Sequence, residues 1–458
     1  MEKVAENIEI FRGAHGLTGA RYIAVKLLNR AERSDAYIDK LLKYELAHND
    51  LDPRDKGLLT ELVNGVVRWK IKLDWALNGF YHGDYQKCLN IVKNAMRVGL
   101  YQLQFLNKIP AYSAINESVE IVKRIQGEKT ANIVNGVLRN LARNLDNIRY
   151  PDPDDLVYYY SVIYSHPKWM VKRWIMQFGP EETEQLLIRN NYKPLIPIRV
   201  NTNRAAAEEI KSMFESEELK VYNNRFFPDS FYVKNPRFDI ASSDIFKNGL
   251  ITIQDPGASL AAFLTAPEQG DFIIDLCAAP GGKSFYMAQL MKDTGQILAL
   301  DKYESKLRQI REGADRLGFS SIETIAGDAA EFDPGKPADI VLADVPCSGL
   351  GTLSKKPDIK WTRDADDLPK ITNLQKNIVR NAIKLIKPGG VLVYSTCTIE
   401  PEENTEMIKW ILDSYPELTL DPAENFLPED VCKDGFLQVF PHTHSMDGTF
   451  AARLKKRL

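Results

Sequence analysis

Cysteine is scarce in this chain: 458 residues carry five, Cys88, Cys277, Cys347, Cys397 and Cys432. No two are close enough for a CxxC pair, which excludes the usual zinc spacing and argues against a disulfide framework. No metal site is expected, and the thiols are expected to be reduced, as in a cytoplasmic protein. Long apolar runs are missing too. No stretch approaches 18 uninterrupted apolar residues, so no membrane segment is expected. The first ten residues carry Glu2, Glu6 and Glu9 and no apolar centre, unlike a signal peptide. No repeat of fixed period runs through the chain.

What is present has the balance of a folded, soluble protein: 44% apolar, 26% charged and 10% aromatic residues. The length corresponds to about three domains. The net charge of −3 hides an asymmetry. Residues 1–145 hold 22 Lys and Arg against 16 Asp and Glu, a net +6, and the remainder carries −9. A basic module joined to an acidic one suggests that the first meets a polyanion.

The first 145 residues read as helical. Leu59, Leu62, Val63 and Val66 form an apolar stripe at helical spacing, as do Ile133, Val137, Leu138 and Leu141. The octets Glu61–Arg68 and Asn132–Arg139 share a VNGV(V/L)R pattern. The glycine inside each costs about 1 kcal/mol against alanine, so close helix–helix approach is expected at both. Pro151 and Pro153 in the PDPDD run mark a linker. Residues 146–250 read as this linker and a small α+β module, with strands at Ile196–Val200 and Phe231–Val233 flanking a helix over 205–216.

From residue 251 short apolar runs alternate with helical stretches: 272–275, 297–301, 322–325, 340–344 and 391–395. This pattern predicts a parallel sheet covered on both faces, with ligands beyond the carboxyl ends of the strands. After the first run comes Asp275-Leu276-Cys277-Ala278-Ala279-Pro280-Gly281-Gly282-Lys283-Ser284. A nucleotide-triphosphate loop needs glycine at position 277, where cysteine stands, and the GxGxxG fingerprint is absent. A nucleoside without a ribose phosphate fits better. Asp301 ends the second run, placed to accept ribose hydroxyls. Asp328 follows the third, placed to meet an adenine amine. Asp344 ends the fourth, and Glu400-Pro401-Glu402-Glu403-Asn404 after the fifth reads as an acidic, proline-started helix N-terminus. A single acidic residue after a strand is commonly a cap. Acidic residues after four successive strands, beside a glycine-rich first loop, form a ligand shell.

Cys347 and Cys397 follow the fourth and fifth runs, which are expected to be neighbours about 4.8 Å apart. Their thiols then face one substrate, and either can serve as the nucleophile. Cys88 and Cys432 read as small packed residues, and Cys277 as packed beneath the first loop.

DLCAAPGGKS at 275–284, DVPCSGLGTL at 344–353, YSTCTIEPEEN at 394–404 and QDPGASLAA at 254–262 resemble the RNA cytosine-C5 methyltransferases of the NOL1/NOP2/Sun family. Asp447-Gly448-Thr449-Phe450 is similar to that family's last strand, usually DGFF. The helical N-terminus resembles a NusB-like RNA-binding domain, the layout of the family's ribosomal RNA subgroup. Lys355-Lys356-Pro357-Asp358-Ile359-Lys360-Trp361 is similar to a family stretch that often starts with arginines, and lysines there keep the charge but lose bidentate phosphate geometry.

The resemblance implies an all-α NusB-like domain over 1–145, a small α+β, RNA-recognition-like module within 146–250, and an α/β Rossmann-like methyltransferase core over 251–458. It implies S-adenosyl-L-methionine bound by Cys277, Ala278, Ala279, Pro280, Gly281, Gly282, Lys283, Asp301, Asp328 and Asp344. It implies Cys397 as nucleophile and Cys347 as the group that assists release. Asp344 would contact the base edge or the methionine amine, and Lys283 RNA phosphate or base. The expected partner is 16S rRNA or a small-subunit precursor, with the protein a monomer. One rival keeps the chemistry and moves it to tRNA. Another makes the chain a non-catalytic RNA-binding or antitermination adaptor, which would have no need of two thiols at one pocket.

Overall fold

A computed structural model describes residues 19–34, 37–234 and 239–458. The reading of residues 1–10 lies outside this range. The chain divides into two compact units. One runs to Asn191 and takes in Lys356–Thr362; the other comprises Tyr192–Lys355 and Arg363–Leu458.

The first unit is helical. Asp52 caps Pro53–Arg68, accepting the Asp55 amide at 2.8 Å, and Pro53 opens the first turn. The predicted stripe of Leu59, Leu62, Val63 and Val66 is buried. It packs around Asn90–Phe105, whose residues from Ile91 to Gln102 are all buried. The two glycines of the repeated octet have different uses. A Cβ on Gly65 would lie 2.0 Å from the Tyr101 ring, so close approach is the reason for glycine there. Around Gly136 nothing lies within 4 Å, and the expectation of close packing fails at that position. After the proline linker, Asp155 caps Leu156–Ile163, followed by Lys168–Phe178 and Pro180–Asn190.

Lys360 belongs to this unit and is 1% exposed. Its ammonium donates to the carbonyls of Arg68 and Ser165 and to Asn191 Oδ1, at 3.3, 3.2 and 2.9 Å. Trp361 Nε1 donates to the Val67 carbonyl at 2.8 Å. Burial, then the Arg68 guanidinium, depresses the Lys360 pKa well below its ordinary value. Lys360, within the stretch that resembles the family's, thus serves the packing of the helical unit.

The second unit holds two sheets. The smaller is antiparallel, with β1 (Ile196–Val200), β2 (Lys220–Asn223), β3 (Ser230–Lys234) and β4 (Ile251–Ile253) in the order β2-β3-β1-β4. The helix Ala207–Ser216 buries Ile210 and Phe214 against Ile198, Val200 and Phe231.

The larger sheet contains β5 (Phe272–Asp275), β6 (Gln296–Asp301), β7 (Ile322–Ala326), β8 (Ala338–Asp344) and β9 (Ile386–Thr396), mutually parallel. It is extended by β10 (Leu418–Asp421), β11 (Cys432–Lys433), β12 (Phe436–Val439) and β13 (Thr449–Lys456), with β13 antiparallel to β9. The path is β11-β12-β13-β9-β8-β5-β6-β7, with β10 beside β13. Alternate residues feed opposite cores. Ile273, Ile297, Ile340 and Leu342 lie in one, and Ile274, Leu298, Leu300 and Val341 in the other. A sheet buried on both faces needs apolar residues at consecutive positions, which is why the strands read as continuous runs. The strand order reverses between β8 and β6 across β5, so the crevice beyond β5 and β8 is the topological switch point.

Candidate active site

The residues singled out in the sequence meet at the carboxyl ends of these strands. Beyond β5 the chain turns through Cys277–Pro280 into the helix Gly282–Leu290. Gly281 has φ 105°, and a Cβ there would lie 2.4 Å from the Phe285 ring, so only glycine makes this turn. Asp275 is 1% exposed. One carboxylate oxygen accepts the Ser284 hydroxyl at 2.6 Å, and the other has no partner. Burial pushes its pKa up to about 7. Cys277 packs at the edge of an apolar cluster, and burial raises its pKa.

Asp301 closes β6 and is buried; it accepts the Tyr303 amide at 3.0 Å and the Lys306 ammonium at 3.3 Å. Asp328, beyond β7, accepts Lys302 Nζ at 2.9 Å and the Ala330 amide at 3.0 Å, and these two hydrogen bonds hold its pKa down. Small residues at 278–282, an orphan carboxylate oxygen on Asp275 and two carboxylates on adjacent strand ends fit a nucleoside with free hydroxyls. Bulk at the loop or a cation-only lining would not.

The thiols lie on the other side of β5. Strands β8 and β9 pair in parallel with Asp344 opposite Ser395, as neighbours expected from the sequence. Cys347 and Cys397 bring their sulfur atoms to 3.2 Å, and the Cys397 amide points at the Cys347 sulfur at 3.4 Å. The hydrogen bond with Cys397, then burial and the nearby carboxylate of Glu403, raises the Cys347 pKa well above its ordinary value. A thiol so placed holds its proton. Lys283 lies close by, its ammonium 2.6 Å from Asp344 Oδ2. Burial works against the charge on Lys283, but the Asp344 carboxylate outweighs it and raises the pKa.

Two groups in this region carry more than the sequence reading assigned. The EPEEN segment forms a short 3-10 turn, Pro401–Glu403, and its acids do not simply line a helix N-terminus. Glu403 is 0% exposed and accepts the Ser348 amide at 2.9 Å, the Ser348 hydroxyl, and Gln375 Nε2 at 2.9 Å. Burial raises its pKa, against the opposing pull of these donors. Lys355, where the family stretch often has arginine, is held between Asp255 and Asp447. It thereby ties the QDPGAS and DGTF motifs together. For Lys355 the signal is a lone acidic residue in each of two glycine-containing motifs, Asp255 and Asp447; for Glu403, inside an acidic run, the sequence carries none. Among the described residues, no group of three or more His, Cys, Asp or Glu is placed to hold a metal ion. No helix among them is long and apolar enough to cross a membrane.

Comparison with known proteins places three matches along the chain. Residues 18–143 match the NusB family, residues 166–240 a ferredoxin-like domain of RsmF/B-like methyltransferases, and residues 262–455 the family described as 16S rRNA methyltransferase RsmB/F. The chain is 38% identical over 452 residues to the probable ribosomal RNA small subunit methyltransferase B of Bacillus subtilis (strain 168), covering 96% of this chain and 99% of that one. It is 32% identical to the corresponding probable enzyme of Synechocystis, over 96% of this chain and 100% of that one. Among solved structures, the crystal structure of PH0851 matches with a TM-score of 0.81 at 25% identity, over 95% of this chain and 99% of that one. The three-part reading of the fold is thus matched part by part: NusB-like helices, a ferredoxin-like module and a methyltransferase core.

Proposed function

This chain belongs to the ribosomal RNA small subunit methyltransferase B family, and from that premise we propose that it methylates C5 of a cytosine in 16S rRNA, using S-adenosylmethionine, through a covalent cysteine–C6 adduct. The observation that carries the chemistry is the thiol pair, with sulfur atoms 3.2 Å apart at the ends of neighbouring parallel strands, beside the Lys283–Asp344 ion pair.

Cytosine C5 is too weak a nucleophile to take a methyl group directly. Cys397, as thiolate, adds to C6 and pushes the electron pair of the C5–C6 double bond onto C5. Bound S-adenosylmethionine supplies an electrophilic methyl group. C5 would take this methyl group, the S–CH3 bond pair staying on the sulfur of the departing S-adenosylhomocysteine, and would become tetrahedral with one hydrogen still attached. Solvent water takes that hydrogen as a proton, its electron pair returns to the ring, the double bond re-forms, and the Cys397 sulfur leaves as thiolate. Cys347, protonated and in contact with Cys397, donates a hydrogen bond to the departing sulfur. Asp344 and Lys283 meet the polar edge of the base. The commitment of Lys283 to Asp344 favours the base over RNA phosphate as its target. Asp301 would accept ribose hydroxyls of the cofactor and Asp328 its adenine amine, and the residues of the 277–283 loop would hold its methionine end. The base must leave its stack to reach this crevice, so an unpaired cytosine is the substrate.

The test is to map 5-methylcytosine in 16S rRNA from cells with and without the gene. One position should lose methylation and regain it on complementation. An unchanged rRNA map, with a lost mark in tRNA, would move the substrate.

A further inference from the structure

The two thiols are gripped by consecutive residues. Glu403 takes hold of the peptide after Cys347: its carboxylate accepts both the amide and the hydroxyl of Ser348. Gln375 donates at once to this carboxylate and to the Pro346 carbonyl, at 2.9 and 3.0 Å, so Cys347 is fixed on both flanks. Asn404 does the same for Cys397. Its side-chain oxygen accepts the Thr396 hydroxyl at 2.6 Å, and its side-chain nitrogen donates to the Thr398 carbonyl at 3.0 Å. A cross-tie joins the grips: the hydroxyls of Ser348 and Thr398, each the residue after a thiol, lie 2.7 Å apart. Glu403 and Asn404 are themselves anchored. The Tyr394 hydroxyl donates to the Glu403 carbonyl at 2.7 Å, and both side chains are withdrawn from solvent.

A buried carboxylate is a costly way to hold a loop. Ser348, Gln375 and Thr398, which donate to it, are neutral. Its advantage over an amide is that both oxygens accept, so it can hold N–H and O–H donors together with no donor of its own turned against them.

We propose that Glu403 and Asn404 are the positioning residues of the thiol pair, Glu403 setting Cys347 and Asn404 setting Cys397. This rests on the covalent mechanism above, in which the two thiols act at different steps. The two residues therefore have separable signatures. Loss of the Glu403 grip slows release of the RNA adduct. Loss of the Asn404 grip slows its formation.

The experiment uses the full chain, unmethylated 16S rRNA and S-adenosylmethionine, with formation and decay of the denaturant-stable adduct followed on gels. In Glu403→Gln, release should slow by about tenfold or more, the effect of losing a hydrogen bond to a charged group. Formation should stay within about threefold. In Asn404→Ala, formation should fall by about tenfold and release should stay close to wild type. The decisive arm places Glu403→Gln in a Cys347→Ala background. A residue that acts only through Cys347 adds nothing there. An equal further slowing in that background would show a general structural role and overturn the proposal, as would wild-type release in Glu403→Gln alone. Unchanged formation in Asn404→Ala overturns the other half. If Glu403→Gln does not fold, Ser348→Ala removes the hydroxyl contact and spares the carboxylate. It should slow release in the wild-type background and not in Cys347→Ala; any other pattern overturns the assignment. Failure of the underlying mechanism looks different: Cys347→Ala alone would then release adduct at the wild-type rate.

Discussion

The sulfur atoms of Cys347 and Cys397 stand 3.2 Å apart although 50 residues of chain separate them. Parallel pairing of β8 with β9 brings the two loops together, and hydrogen bonds on each loop set the thiols face to face. If Cys397 attacks the base and Cys347 assists its departure, the alanine variants should differ in kind. Cys397→Ala should form no adduct and transfer no methyl group. Cys347→Ala should form the adduct and accumulate it on denaturing gels. If both were packing residues, each change would cost about 1–2 kcal/mol of stability and leave turnover in the folded fraction intact. Adduct in Cys397→Ala and none in Cys347→Ala would reverse the roles.

Asp301 offers its buried carboxylate at the end of β6. Asp301→Ala should weaken S-adenosylmethionine binding by about 1.5–3 kcal/mol, roughly tenfold to a hundredfold. Calorimetry showing equal affinity would remove Asp301 from ribose binding.

Lys283 and Asp344 test charge against chemistry. Lys283→Met leaves the Asp344 carboxylate without its cation. The cost should be about 1–3 kcal/mol, below that of a fully buried pair because the Asp344 side chain is 28% exposed. Adding Asp344→Asn should restore much of the stability in thermal unfolding and none of the activity. Recovery of turnover in the double variant would show that the pair serves stability alone.

Asp275 gives a pH signature. Its pKa rises from an ordinary 3.8 to about 7 in the fold. Between those values the folded state keeps a proton that the unfolded state gives up. The stability this contributes is complete below the lower value and is lost as pH rises through the upper one. The loss amounts to about 4 kcal/mol at most. Asp275→Asn should therefore gain on wild type as pH rises from 4.5 to 7.5, and the gain should level off above. A difference in melting temperature that is constant across this range would contradict the raised pKa.

The sequence made the catalytic sheet legible because strands buried on both faces are apolar at every position, and because the motifs sit where those runs stop. The strand Ile196–Val200 is legible with its observed bounds because its short apolar run follows Pro194 and stops at Asn201. Long-range partnership was not legible. Lys360 has the look of a solvated lysine, yet three acceptors from distant segments of the helical unit surround it. Glu403 sits in a run that resembles a solvated helix start, and only the turn begun by Pro401 shows that it faces inward. The repeated VNGV octets carry the same glycine, but only Gly65 meets an aromatic ring. Local pattern reports which face is apolar; it does not report what a polar side chain will find when it is buried.

Methyl transfer by Cys397 to C5 of a cytosine in 16S rRNA can be read in a single assay. The most direct measurement incubates the purified protein with unmodified 16S rRNA and S-adenosylmethionine labelled in its methyl group, then identifies the labelled nucleoside by mass spectrometry. Label should appear in 5-methylcytosine at one position with the wild-type protein, and nowhere with Cys397→Ala. Label in any other nucleoside, or undiminished 5-methylcytosine with Cys397→Ala, would contradict it.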